Sequence, residues 1–237
     1  MPNGTLYLIP VPLADEAGDR SFTPYLTETV NGISEYIVEN EKTARRFLKA
    51  FGYEHSLDEL DLYPLNKHSG EEDPLEYIMP LLNGISVGLL SEAGMPGIAD
   101  PGASVVELAH QNSIRVVPLS GPSSIVLAVA ASGMNGQNFA FLGYLPFKNP
   151  DRRNKLQLLE KTSFRDNQTQ IFIETPFRNN QLFDDILQTC RPDTRICIAC
   201  DLTLPTEFII TKPVAEWKKK RPDMNKRPAI FLLYCGK

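Results

Sequence analysis

Cysteine is scarce in this sequence. Cys190, Cys197, Cys200 and Cys235 are the only four in 237 residues, too few to staple such a chain into a disulfide framework. Cys197 and Cys200 have the spacing of a redox or zinc pair. They fall, however, in Arg195-Ile-Cys-Ile-Ala-Cys200, an apolar run that reads as a strand, where residues three apart point to opposite faces. No second pair exists to complete a zinc site, so no metal is expected. Long apolar runs are lacking too, and none nears the ~20 residues that span a bilayer. The first residues carry neither a basic n-region nor a long apolar core, so the expectation is a cytoplasmic protein with no membrane partner. An excess of basic charge is also missing. The net charge of −5 argues against a chain wholly devoted to nucleic acid, while leaving local basic patches open. Neither the Gly-Lys-Ser/Thr ending of a phosphate loop nor the G-x-G-x-x-G dinucleotide fingerprint occurs. Repeats and low-complexity segments are absent.

What is present is an ordinary globular composition, 42% hydrophobic and 22% charged, long enough for two domains. The first half alternates strand and helix. Thr5–Ile9, Glu35–Glu39, Ile85–Leu90 and Ile114–Leu119 read as strands. Between them lie helical patterns at Phe22–Val30, Lys42–Phe51, Pro74–Leu82 and a stretch opened by Asp100 as N-cap with Pro101 at the first helical position. Residues 66–73, including His68, read as an exposed polar loop. That alternation predicts a mostly parallel, five-stranded sheet in residues 1–118. After a small-residue helix over Ser123–Ser132, the second half is richer in strands. It predicts a mixed sheet flanked by helices in residues 119–237.

The most unusual stretch is Ser91-Glu-Ala-Gly-Met-Pro-Gly-Ile-Ala-Asp-Pro-Gly102, a loop between a buried strand and a helix, where open α/β sheets place ligands. Gly94, Gly97 and Gly102 leave room for close backbone approach, and Pro96 and Pro101 stiffen the path. Composition alone reads equally well as an irregular connection. Three further stretches share this grammar of strand end, proline or glycine, then small residues: Ile9-Pro-Val-Pro12, Pro118-Leu-Ser-Gly-Pro-Ser-Ser124 and Gly143-Tyr-Leu-Pro146. Four such ends could line one cleft whose walls are mainly backbone, suited to a nucleoside.

In their order and spacing these motifs resemble the tetrapyrrole-methylase superfamily, and within it a branch that methylates small-subunit ribosomal RNA on a cytidine ribose 2′-oxygen. The resemblance extends through Ile171-Phe-Ile-Glu-Thr-Pro-Phe-Arg178 and covers nearly the whole chain. It implies two α/β domains, S-adenosylmethionine folded into the cleft between them, and a homodimer. Carried over by position, the cofactor contacts fall on Pro10, Gly94, Pro96, Gly97, Asp100, Ser123, Ser124 and Ile125, with Leu142 and Leu145 from the second domain. The branch also carries an acidic pair followed by Thr-Arg and another Arg. Here that motif reads Glu39-Asn-Glu-Lys-Thr-Ala-Arg45, and Glu39 and Arg45 become the candidate catalytic pair. The motifs depart from the branch where Asn40 stands for its Asp, Lys42 for its first Arg, Leu204 for the Lys of Glu-Leu-Thr-Lys, and Phe177 for the His of Glu-Ser-Pro-His-Arg.

Three functions fit this reading. A methyltransferase for RNA, with ribosomal RNA or the small subunit as partner, predicts a basic face drawn from Arg45, Arg46, Arg152, Arg153 and Arg178. A methyltransferase for a porphyrinoid or other metabolite predicts an enclosed trough with few basic residues. A lapsed protein would bind S-adenosylmethionine without turnover. Glu39 with Arg45 reads alternatively as a surface ion pair, and Glu174 with Arg178 as a cap. His55 and His110 read as structural, and Lys218-Lys-Lys-Arg221 as a solvated helix end.

Overall fold

The computed structural model describes residues 2–14, 17, 22–65 and 74–236. The polar loop with His68 lies outside the described residues. Two compact units emerge, Met1–Ser123 and Ser124–Lys237. No helix among the described residues is long and apolar enough to cross a membrane.

The first unit runs β1 (Thr5–Ile9), α1 (Pro24–Asn31), β2 (Glu35–Val38), α2 (Glu41–Phe51), β3 (Asp61–Pro64), α3 (Met79–Leu82), β4 (Val87–Leu90), α4 (Ala103–Gln111) and β5 (Arg115–Pro118). Its five strands lie in the order β3-β2-β4-β1-β5, and every pairing is parallel. A parallel sheet needs cover on both faces, and the strand alternation supplies two. Ile9, Tyr36, Val38 and Leu90 join α1 and α2 residues such as Leu26 and Leu48. Leu6, Ile37, Val87 and Leu89 join Leu81 of α3 and Val105 and Ala109 of α4.

Local chemistry explains the helix ends. The Thr23 hydroxyl accepts the Leu26 amide at 3.1 Å, just before Pro24. The Asn40 side chain accepts the Thr43 amide at 3.1 Å, so the residue that departs from the branch motif serves as the N-cap of α2. Gly52 closes α2 in the left-handed region at φ 87°. The expected helix over Pro74–Leu82 divides into a 3-10 turn, Pro74–Tyr77, and the single turn α3. Pro80 has no amide to donate, so it is accommodated in the first turn of a new helix. β3 escapes the strand pattern because it is a half-exposed edge strand of four residues, one an aspartate and one a proline.

The second unit comprises α5 (Ser124–Ser132), β6 (Phe139–Tyr144), α6 (Asp151–Asp166), β7 (Thr169–Ile173), α7 (Asn179–Thr189), β8 (Arg195–Cys200), β9 (Phe208–Pro213), α8 (Val214–Trp217) and β10 (Ala229–Tyr234). The strand order is β6-β7-β10-β8-β9. Only β6 and β7 pair in parallel, so the sheet is mixed as expected. Every residue of β10 is buried, and Phe231 stacks on Phe172 of β7 with ring centroids 6.0 Å apart. Cys200 joins the core cluster with Ile196 and Ile198, whereas the buried Cys197 does not, as strand alternation requires. Burial raises both thiols, that of Cys200 to about 12, which keeps them protonated at neutral pH.

Candidate functional site

Within the first unit, β1, β2, β4 and β5 run in parallel, so their C-terminal ends open on one edge of the sheet. Three of the four stretches singled out by their proline and glycine content meet there. Val11 and Gly94 exchange two backbone hydrogen bonds of 2.9 Å, clamping the β1 exit to the β4 exit. Gly121 abuts the buried Pro10 so closely that a Cβ atom would lie 2.1 Å from the Pro10 ring. The fourth stretch, Gly143-Tyr-Leu-Pro146, ends β6 in the second unit. Gly143 adopts φ 64° there, and Leu145 belongs to that unit's core with Leu142 packed against it. Ser123 closes the first unit; Ser124 and the buried Ile125 begin α5 in the second.

The 91–102 loop is built around Asp100. Its Oδ1 accepts the amides of Gly97 and Gly102, both at 2.8 Å, while Oδ2 is buried without a hydrogen-bond partner. The carboxylate thus closes the loop upon itself. This explains why α4 starts at Ala103 rather than directly after Asp100 as expected. Gly97 adopts φ 79°, and nothing lies within 4 Å of where its Cβ would be. Pro96, the residue before it, is buried.

Beside this loop lies a cavity of about 510 Å³ between the β1 exit, the β4 exit and α2, lined among others by Leu13, Thr43, Arg46, Phe47, Ser91 and Glu92. Glu39, at the end of β2, reaches its border. Its Oε1 accepts the Glu92 amide at 3.2 Å, tying the β2 and β4 exits together. Arg45 lies elsewhere on α2, its guanidinium donating to the Leu57 carbonyl. Arg46 is the arginine that faces the cavity. Helix phase could have indicated this, since Thr43, Arg46, Phe47 and Ala50 follow the i, i+3, i+4, i+7 pattern of one face.

The expected basic face needs a correction at Arg152. That side chain is 1% exposed, with Nη2 2.8 Å from Asp185 Oδ2 and Nη1 3.8 Å from Glu174 Oε2. A guanidinium at the first turn of α6 is long enough to reach inward, and the carboxylate of α7 provides the countercharge. Arg153 places its Nε 3.1 Å from Asp185 Oδ1. Arg178 donates to Glu174 Oε1 at 2.6 Å and lies over the Phe147 ring at 4.5 Å. In the second departing motif, Asp201 at φ 52° accepts Arg227 Nε at 2.8 Å and the Thr206 hydroxyl at 2.7 Å, which fixes the β8–β9 turn.

A wholly parallel sheet is thus followed by a mixed one, with a glycine-proline loop folded on an aspartate at the parallel strand ends. The chain belongs to the tetrapyrrole (corrin/porphyrin) methylases, whose family profile matches residues 24–218, and it is a methyltransferase. Among curated relatives it is similar to ribosomal RNA small subunit methyltransferase I of Vibrio cholerae, 30% identical over 239 aligned residues that cover 99% of this chain and 79% of that protein. The protein of the same name from Escherichia coli O157:H7 is 29% identical over 233, covering 97% and 77%. The crystal structure of the methyltransferase CobJ shares the fold, with a TM-score of 0.60 at 16% identity over 98% of this chain and 94% of that one.

Proposed function

We propose that this chain transfers the methyl group of S-adenosylmethionine to small-subunit ribosomal RNA, at a cytidine ribose 2′-oxygen, acting as a cytoplasmic homodimer. The observation that carries the reading is the carboxylate of Glu39 bonded to the amide of Glu92, which lines one cavity with Arg46 and Thr43. The names of the relatives supply the substrate class.

The loop residues fit the cofactor. A buried carboxylate oxygen without a partner, Asp100 Oδ2, is a ready acceptor for a ribose hydroxyl or an ammonium group. The open space at Gly97 lets a ligand approach the main chain. Pro10, Gly94, Pro96 and Ser123 hold the frame around them. Ser124, Ile125, Leu142 and Leu145 of the second unit belong to the proposed cofactor set by the family resemblance alone. Bound there, the cofactor supplies an electrophilic methyl on a sulfonium, whose departure needs no general acid. The remaining work falls to the protein: aligning the acceptor and removing its proton. A ribose hydroxyl is a poor nucleophile, so the Glu39 carboxylate serves as the base that takes its proton as the methyl group is transferred. Arg46 engages a phosphate of the RNA. Arg45, by its bond to Leu57, takes the structural share of the pair.

The test uses labelled S-adenosylmethionine and small subunits that lack the modification. Label is expected in a cytidine ribose, and Glu39→Gln should lower kcat by about 100-fold or more while cofactor affinity stays constant. If neither ribosomal RNA nor intact small subunits accept label, the substrate is a small molecule instead. Arg46→Ala should weaken RNA binding and make the slope of log affinity against log salt shallower by about one, since one phosphate contact fewer releases fewer counterions. An unchanged slope removes Arg46 from the RNA site.

A further inference from the structure

Strands β6 and β7 end side by side, with Tyr144 opposite Ile173 in the parallel register. At and just beyond these ends, three large aromatic side chains stand in solvent: Tyr144 is 62% exposed, Phe147 56% and Phe177 73%. None is needed to fill the core beneath, where Phe172, Leu156 and Leu182 are fully buried. Exposing several aromatics at one sheet edge sacrifices hydrophobic stabilisation, and surfaces of this kind mark binding sites.

Two cations accompany them. The Arg178 guanidinium lies over the Phe147 ring at 4.5 Å and is held there by Glu174 at 2.6 Å. Glu174 is itself buried, and its other oxygen lies 3.8 Å from Arg152 Nη1, so one carboxylate is shared between two guanidinium groups. The Lys226 amide donates to the Pro176 carbonyl at 3.1 Å, which brings an exposed lysine beside Phe177. The acidic group close by, Asp223, is engaged by Asn180 Nδ2 at 2.8 Å and the Asn225 amide at 3.0 Å. Flat rings interleaved with fixed positive charge suit bases that stack and phosphates that pair.

We propose that Tyr144, Phe147 and Phe177, with Arg178 and Lys226, form a platform on the second unit that binds single-stranded RNA by base stacking. This rests on the RNA reading above and extends it: the platform grips unpaired nucleotides of the substrate apart from the methylated one. Stacking tolerates any base, so the platform contributes affinity rather than sequence choice. Charge complementarity favours RNA over a protein partner here, because the Arg178 guanidinium lies directly over the exposed Phe147 ring.

The experiment measures anisotropy of a labelled single-stranded oligoribonucleotide of about 12 nucleotides with the full chain. The double variant Phe147→Ala with Phe177→Ala should lose about 10-fold or more in affinity without a change of salt slope, since no phosphate contact is removed. Lys226→Gln should instead lessen the slope by about one, and Phe177→Tyr, which keeps a flat ring, should bind like the parent. With small subunits as substrate, the loss in the double variant should fall on KM rather than kcat, and calorimetric affinity for S-adenosylmethionine should hold. A double variant that stays folded and binds RNA at full strength, while the parent methylates small subunits, overturns the platform alone. Changed self-association in light scattering with intact RNA affinity overturns it in favour of a protein contact. A parent chain that neither binds the oligonucleotide nor methylates small subunits overturns the platform together with the RNA reading.

Discussion

Replacing Asp185 by alanine should cost about 3–5 kcal/mol of unfolding free energy, because it strands a buried guanidinium without its countercharge. Asp185 accepts two hydrogen bonds on Oδ1 and pairs with Arg152 through Oδ2 by charge alone. Asn149 Nδ2 lies 3.0 Å and Arg153 Nε 3.1 Å from its Oδ1, and Arg152 Nη2 is 2.8 Å from its Oδ2. Arg152 Nε and Nη1 already lack hydrogen-bond partners, so the loss of Asp185 leaves that group with Glu174 at 3.8 Å as its remaining countercharge. Urea unfolding of the single variant reads the loss. The pair Arg152→Met with Asp185→Leu should recover most of it, since two apolar side chains of similar volume remove both charges together. A single variant within 1 kcal/mol of the parent would mean that water or Glu174 compensates Arg152, against the burial described here.

Gly97→Trp should reduce affinity for S-adenosylmethionine, or for its demethylated product, by about 100-fold or more. Two effects combine. Any side chain at φ 79° carries left-handed strain, on the order of 1–2 kcal/mol, and the indole would occupy the open space in front of the loop. Gly97→Ala isolates the first effect, since its methyl meets nothing within 4 Å. Calorimetry on both variants, with circular dichroism to confirm folding, separates strain from occlusion. A folded tryptophan variant with parental affinity would place the cofactor away from this loop.

Much of the architecture could be read before any coordinates. Pro24 and Gly52 act locally, and they open α1 and close α2 where their backbone chemistry demands. The change from alternating strand and helix to successive strands marks two different sheets. What escaped depends on tertiary surroundings. β3 is too short and too polar to show periodicity, and it exists because β2 offers it a parallel neighbour. Asp100 looked like a helix cap, yet its carboxylate turns toward the amides of Gly97 and Gly102, a choice the loop path decides. Arg45 and Arg46 differ by one residue, about 100° of helix rotation; helix phase groups Arg46 with Thr43, Phe47 and Ala50, but that this face borders a cavity is decided by packing. Arg152 reads as a surface charge until Asp185, far along the chain, is brought within 2.8 Å.

The place of β10 has a consequence for biosynthesis. It follows every other strand in sequence yet lies between β7 and β8, paired on both sides. On a translating ribosome the first sheet can close once Pro118 has emerged, whereas β7 and β8 must wait with open edges until Ala229–Tyr234 arrives. Unpaired edges of that kind invite association between nascent chains. A stop codon shortly before Ala229 would therefore leave an intact first unit attached to a sticky, half-built second one, a product for chaperones and proteases rather than a smaller working enzyme.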